Sequence, residues 1–129
     1  MLEKGIKGTL KSVVTEEKTA EAMGSGELAV YATPAMIALM EETAYKSIAP
    51  ELEEGAGSVG TLMEVKHVAA SPIGMKIKCQ TEVTEVDGRR VVFKVQAFDE
   101  QGLIGEGTHE RFIIQNEKFQ KKADSKLNG

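Results

Sequence analysis

The chain has a single cysteine, Cys79, no tryptophan, and only two tyrosines and four phenylalanines among its 129 residues. A lone cysteine excludes an intrachain disulfide and any zinc site built on cysteine pairs, and it points to a reducing cytoplasm. So few aromatics leave little surface on which bases could stack, the usual platform for single-stranded nucleic acid. Cationic clusters are equally scarce. Sixteen Lys and Arg against 20 Asp and Glu give a net charge of −4, and the one dense basic run is the stretch 118–126. Nucleic acid is therefore not expected as a partner. No apolar run approaches the roughly 18 residues of a membrane span, and the opening MLEKGIKGTLKS lacks the apolar core of a signal peptide, so neither membrane insertion nor secretion is expected. Phosphate loops are missing too, because Gly55-Ala-Gly57 is not followed by Lys-Ser/Thr.

What is present describes one ordinary domain. Hydrophobic residues make up 41% of the chain, and a length in this range supports a single core. That domain is assigned to residues 1–117. The polar stretch 118–129 reads as a frayed, disordered tail.

The residues Gly5–Val14 read as a strand and Leu28–Tyr31 as a short second one, with turns between them. Thr33-Pro34 opens the clearest helix. Threonine suits the cap and proline the first turn, and helix formers run to Ile48 before Pro50 stops them. Gly55–Ser58 reads as a loop. The period then changes from 3.6 to 2. Val59, Thr61, Met63, Val65 and His67 are placed on one face of a strand over Val59–Val68. Met75–Val83 alternates apolar with Lys76, Lys78, Gln80 and Glu82, and Asp87-Gly88 is a hairpin signal before Arg90–Phe98. A turn at Glu100–Gly102 leads into Leu103–Ile114. Successive hairpins make the sheet antiparallel, with one long helix covering it, an α+β arrangement. Met36, Ile37, Leu39, Met40, Ala44, Tyr45 and Ile48 make that helix apolar nearly all round, which predicts burial. The strand edges left over favour a homodimer, with a tetramer as the larger option.

Two residues sit awkwardly in this pattern. Glu41 falls between Ile37 and Ala44 on the apolar stripe, where a carboxylate is costly unless partnered. Its bland alternative is a place at the helix edge, reaching water. His67 shares its face with Met63 and Val65. It is either a hydrogen-bonded structural histidine or, with a helical carboxylate opposite, a general base and its partner. Thr33 is either a plain helix cap or a hydroxyl placed for acyl transfer where helix N–H groups favour an oxyanion. Gly105 and Gly107, before His109 and Arg111, strip side chains from one face. That means close approach of a ligand or a second backbone, or merely a strand edge or bulge. Cys79 alternates with Ile77 and Thr81 and reads as core, and Met36 and Met40 read as core that could also line a pocket.

These residues also occur in a recognisable order. Ala32-Thr-Pro-Ala-Met-Ile-Ala-Leu-Met-Glu41, Ser58-Val-Gly-Thr61, Val65-Lys-His67-Val-Ala-Ala-Ser-Pro72, Val86-Asp-Gly-Arg89 and Ile104-Gly-Glu-Gly-Thr-His-Glu-Arg-Phe112 resemble the hotdog-fold acyl-CoA thioesterases, and within them the fluoroacetyl-CoA thioesterase group. The resemblance covers Tyr31 to Phe119. It implies a long antiparallel sheet wrapped round a central helix and hydrolysis of an acyl-CoA to acid and CoA. It further implies a catalytic set matching Thr33, Glu41 and His67, and an acyl pocket that Gly60 and Arg111 line; Met36 and Met40 are expected to line the same pocket from the helix. No metal or organic cofactor is implied. In one respect the chain departs from the group: Met1–Val30 has no aromatic residue, whereas the group carries an aromatic lid upstream of its threonine. The implied acyl group is therefore any short or small one. A hotdog protein that binds an acyl thioester or small acid without cleaving it is the alternative, and release of thiol separates the two.

Overall fold

Alternating apolar and polar residues pair into long ladders in the computed structural model, which describes Met1–Gly129. The strands are β1 (Lys7–Val13), β2 (Ala56–His67), β3 (Lys76–Asp87), β4 (Arg90–Asp99) and β5 (Gly102–Gln115). Three helices accompany them: α1 (Ala20–Met23), α2 (Thr33–Ile48) and α3 (Asn116–Asp124). One antiparallel sheet in the order β1-β3-β4-β5-β2 results, with β1 and β2 at its edges. The α+β architecture expected from the sequence is the one found. No helix is long and apolar enough to cross a membrane.

Helix α2 lies on the inner face of the sheet. Met36, Leu39, Met40, Ala44 and Ile48 are buried against Ile77, Cys79, Val83, Val91, Phe93, Val95 and Ala97. Each large aliphatic side chain so buried is worth about 1.5–3 kcal/mol. The helix is not apolar all round in effect, however. Ile37 and Glu41 are half-buried, while Ala38, Tyr45 and Lys46 are exposed. The reason is geometric: one sheet covers only one side of a helix. Gly105 sets how closely α2 approaches, since a Cβ there would lie 2.5 Å from Met36 Sδ. Gly107 does the same for the neighbouring backbone, where a Cβ would sit 2.6 Å from Val65 Cα. The close approach read from these two glycines is thus made by the helix and by β2.

Several expectations need correction. Leu28–Tyr31 forms no strand, only single bridges of Val30 to Pro72 and Tyr31 to Thr19. Its carbonyls are consumed locally, Val30 O accepting from Ala20 N–H at 2.8 Å and Leu28 O from Glu21 N–H at 3.1 Å. Ala56–Ser58, expected as loop, already belongs to β2 and pairs with Ile113–Gln115. The β3–β4 turn is Gly88-Arg89, one residue later than the Asp87-Gly88 signal, with Gly88 at φ 61°. The stretch expected to fray is helical. Helix α3 is exposed, but Lys121–Glu117 at 3.3 Å and Gln120 Nε2–Asp124 Oδ1 at 2.9 Å brace it at i,i+4 spacing.

The register of β2 decides which residues face the helix. Gly60 pairs with Arg111 and Leu62 with Glu110, leaving Thr61 as an extra residue in a β-bulge. A bulge shifts the alternation by one. Val59 and Thr61 therefore do not share the His67 face as the simple period demands. Gly60 takes the inward position beside Arg111 instead.

Candidate active site

The chain entering α2 is pinned before the helix begins. Tyr31 N–H donates to Ser71 O at 2.8 Å and Ala32 N–H to Lys18 O at 2.9 Å, and both residues are buried. Ala32 occupies the cap position, so Thr33 is the first helical residue and its hydroxyl caps nothing. The hydroxyl is committed elsewhere: Thr33 Oγ1 lies 2.7 Å from His67 Nδ1, at the far end of β2. Of the two readings of Thr33, the plain cap is excluded. When His67 carries its proton on Nε2, the Thr33 hydroxyl donates to Nδ1, the relation of an activated hydroxyl to its base. The Nε2 atom is buried and has no hydrogen-bond partner within the chain. Tyr31 meets the ring edge-on at 6.4 Å, and burial pushes its phenol up to about 12, which removes it from proton transfer near neutral pH. A groove of about 280 Å³ opens here, between Thr33, His67 and the small residues Ala20, Ser25, Val30 and Ala69.

Glu41 stands at a second locus. Its side chain is 44% exposed, and its charged partner is Arg111 NH1 at 3.9 Å. A Cβ at Gly60 would come within 2.7 Å of Glu41 Oε2 and 3.3 Å of His109 Cε1, so only glycine leaves the carboxylate its place there. No ion pair joins Glu41 to His67. The imidazole beside Glu41 within the chain is that of His109, at 1% exposure. Two turns and more of helix, about 12 Å of rise at 1.5 Å per residue, separate Thr33 from Glu41. The structure thus brings Thr33 to His67 and Glu41 to Gly60 and Arg111, as two separate clusters. Met36 and Met40 join neither. Both are 0% exposed and belong to the core, because they lie on the sheet-facing side of α2. Cys79 is core as well, and burial raises its thiol, against a nucleophilic role.

Arg111 is 7% exposed and hydrogen-bonded through each of its three nitrogens. Its Nε donates to Ser58 Oγ at 2.8 Å, NH2 to Ser58 O at 2.9 Å and NH1 to His109 Nε2 at 3.1 Å. The guanidinium also lies 5.7 Å over the Tyr45 ring. His109 stacks on Phe93 at 5.8 Å. Period groups Gly105, Gly107, His109 and Arg111, which follow one another at every second residue of β5, but does not add Ser58, Tyr45 or Glu41 to them.

Burial holds both imidazoles below the ordinary 6.5, and at His109 the neighbouring Arg111 charge adds to the effect. The unfolded chain takes up protons at the ordinary value while the folded chain resists. Stability contributed by these rings is therefore complete above pH 6.5 and is lost as the pH falls through and below that value. Melting temperature should be level above about pH 7 and decline towards pH 5, with a shallower decline in His109→Gln. A melting temperature that does not change across this interval would contradict the burial of both rings.

Comparison with known proteins identifies the family and the fold. A family model described as fluoroacetyl-CoA-specific thioesterase matches residues 14–117. The fluoroacetyl-CoA thioesterase of Streptantibioticus cattleyicolor is 44% identical over 97 residues, 75% of this chain and 70% of that protein. A solved structure of the fluoroacetyl-CoA thioesterase FlK superposes with a TM-score of 0.93 at 37% identity, covering 98% of each chain. A Thermus thermophilus member of the thioesterase superfamily gives 0.89 at 32% identity, covering 99% of this chain and 95% of its own. The fold, the ordered motifs and these matches over most of the chain place it in the fluoroacetyl-CoA-specific thioesterase family, on the hotdog fold.

Proposed function

We propose that the protein is an acyl-CoA thioesterase that hydrolyses a short or small acyl thioester to the free acid and CoA, with Thr33, Glu41 and His67 as its catalytic residues. The observation that carries this reading is the 2.7 Å contact of the Thr33 hydroxyl with His67 Nδ1 at the start of α2. First-turn N–H groups of a helix carry partial positive charge and favour a developing oxyanion. A thioester carbonyl in the adjoining groove would meet those donors, the hydroxyl and the imidazole together. The groove of about 280 Å³ is near the lower limit of small-ligand sites, which suits a small acyl group.

Glu41 of the same chain is too far along the helix to serve that carbonyl, which favours a homodimer. Strand β2 is a twelve-residue edge with Gly60, Thr61 and Leu62 exposed. Long open edges call for a partner. Antiparallel pairing of β2 with its own copy, centred between Met63 and Glu64, sets Gly60 and the adjacent Glu41 opposite the partner subunit's His67. The two clusters then form one site, used twice. Within it, Glu41 takes a proton from the attacking water as the new C–O bond forms. The C–S bond breaks, and Glu41 hands the proton it took to the departing sulfur, while His67 Nδ1 holds the Thr33 hydroxyl at the thioester. Gly60 and Arg111 shape the Glu41 side of the pocket. A reducing cytoplasm suits the buried free thiol of Cys79.

The test is thiol release from a panel of acetyl-, branched short-chain and aryl-CoA thioesters. Release from the small members, abolished in His67→Ala, is expected. Absence of release from every member would leave a binding protein only.

A further inference from the structure

We propose that His109 is a positioning residue for this reaction: its ring holds Arg111 so that the guanidinium faces the Glu41 carboxylate. This role rests on Glu41 being the catalytic base.

The geometry dictates how the ring is protonated. His109 Nδ1 lies 2.8 Å from Leu62 O. A carbonyl can only accept, so Nδ1 carries the hydrogen. Nε2 is then a bare lone pair, and it accepts from Arg111 NH1 at 3.1 Å. A second proton at Nε2 would break that bond and set two positive charges together, so the neutral form is the one that fits. The ring cannot rotate away, because it is stacked on Phe93 and buried.

This fixed ring completes the seat of Arg111. Ser58 takes Nε and NH2. His109 takes one hydrogen of NH1 and leaves the other towards Glu41 Oε2, 3.9 Å away. Without the imidazole, NH1 would have no neutral acceptor and could swing about Ser58. Leu62, the carbonyl that anchors His109, is the residue after the bulged Thr61. One distortion of β2 therefore presents Gly60 inward, orients His109 and, through Arg111, places the carboxylate. His109 itself need not touch substrate.

Two variants and one spectrum test this, with acetyl-CoA as the thioester. His109→Phe keeps the stack on Phe93 and loses both hydrogen bonds. His109→Gln can accept from Arg111 through its carbonyl and donate to Leu62 through its amide. We expect His109→Phe to lower kcat by about tenfold or more, the scale of a small displacement in a catalytic site. KM should stay within about twofold, and His109→Gln should recover kcat to within about threefold of the parent, as for an interaction felt in the transition state. Equal kcat in His109→Phe and the parent overturns the proposal, as does equal loss in both variants at equal melting temperature. Nitrogen-15 spectra of the unaltered protein at pH 7 give a reading independent of how the variants fold: Nδ1 protonated and Nε2 bare supports the seat, and any other state of His109 overturns it. Undiminished turnover in Glu41→Gln would instead remove the catalytic reading on which the role depends, and so is distinguishable from failure at His109 alone.

Discussion

Glu41→Gln is expected to lower kcat with acyl thioesters on the order of 10²-fold or more, the scale of a positioned base. The substitution keeps the shape of the side chain and removes only its charge and basicity. Structural cost should be slight. Glu41 is 44% exposed, and its sole ionic contact is the long one to Arg111 at 3.9 Å. Arg111 keeps Ser58 and His109 without it. A change within about 0.5 kcal/mol of stability is the ordinary result for such a position. Circular dichroism and sedimentation of the variant should therefore match the parent while turnover collapses. Parent-like turnover would end the assignment of Glu41 as base.

His67→Ala should cost as much, because it removes the acceptor of the Thr33 hydroxyl. Its greater value lies in combination. Where Glu41 of one subunit serves Thr33 and His67 of the other, a mixed dimer of Glu41→Gln and His67→Ala chains has one intact site and one doubly damaged site. Equal mixing with subunit exchange makes half the dimers mixed, so about a quarter of the parent activity should return from two inactive proteins. A mixture that exchanges subunits yet stays inactive would place all three residues in a single chain's site and refute the shared pocket. The distances favour recovery. Thr33 and Glu41 are about 12 Å apart along α2, and β2 carries Gly60 and His67 about 20 Å apart, six ladder steps of about 3.3 Å with Thr61 bulged out.

Much of the fold was legible because strand and helix periods are local properties. Lys76–Val83 alternates so cleanly that its wet and buried faces follow from the order of residues, and Thr33-Pro34 marks where α2 starts, with the cap one residue earlier at Ala32. The short segment Leu28–Tyr31 misled because an apolar run predicts burial but not a partner. The helical end of the chain misled for the opposite reason: its polar composition hid i,i+4 pairs that need no core. The residues proposed for the site were named from the sequence, chiefly by resemblance, and their grouping was not. The resemblance names Thr33, Glu41 and His67, where pattern alone leaves each a structural reading, and neither says that Glu41 faces His109 and Arg111. That pairing comes from the bulge at Thr61, and a single inserted residue leaves no mark on a period-two reading until the register against β5 is known.

Sequence alone determined the number of layers, the helix that covers the sheet, and which acid, imidazole and hydroxyl the family resemblance singles out. Tertiary structure decided which of these groups meet. Hydrophobic patterning acts over a few residues and is written along the chain. Hydrogen bonds such as Thr33 to His67 and Arg111 to Ser58 join residues 34 and 53 positions apart, so they exist only once the strands have chosen their alignment.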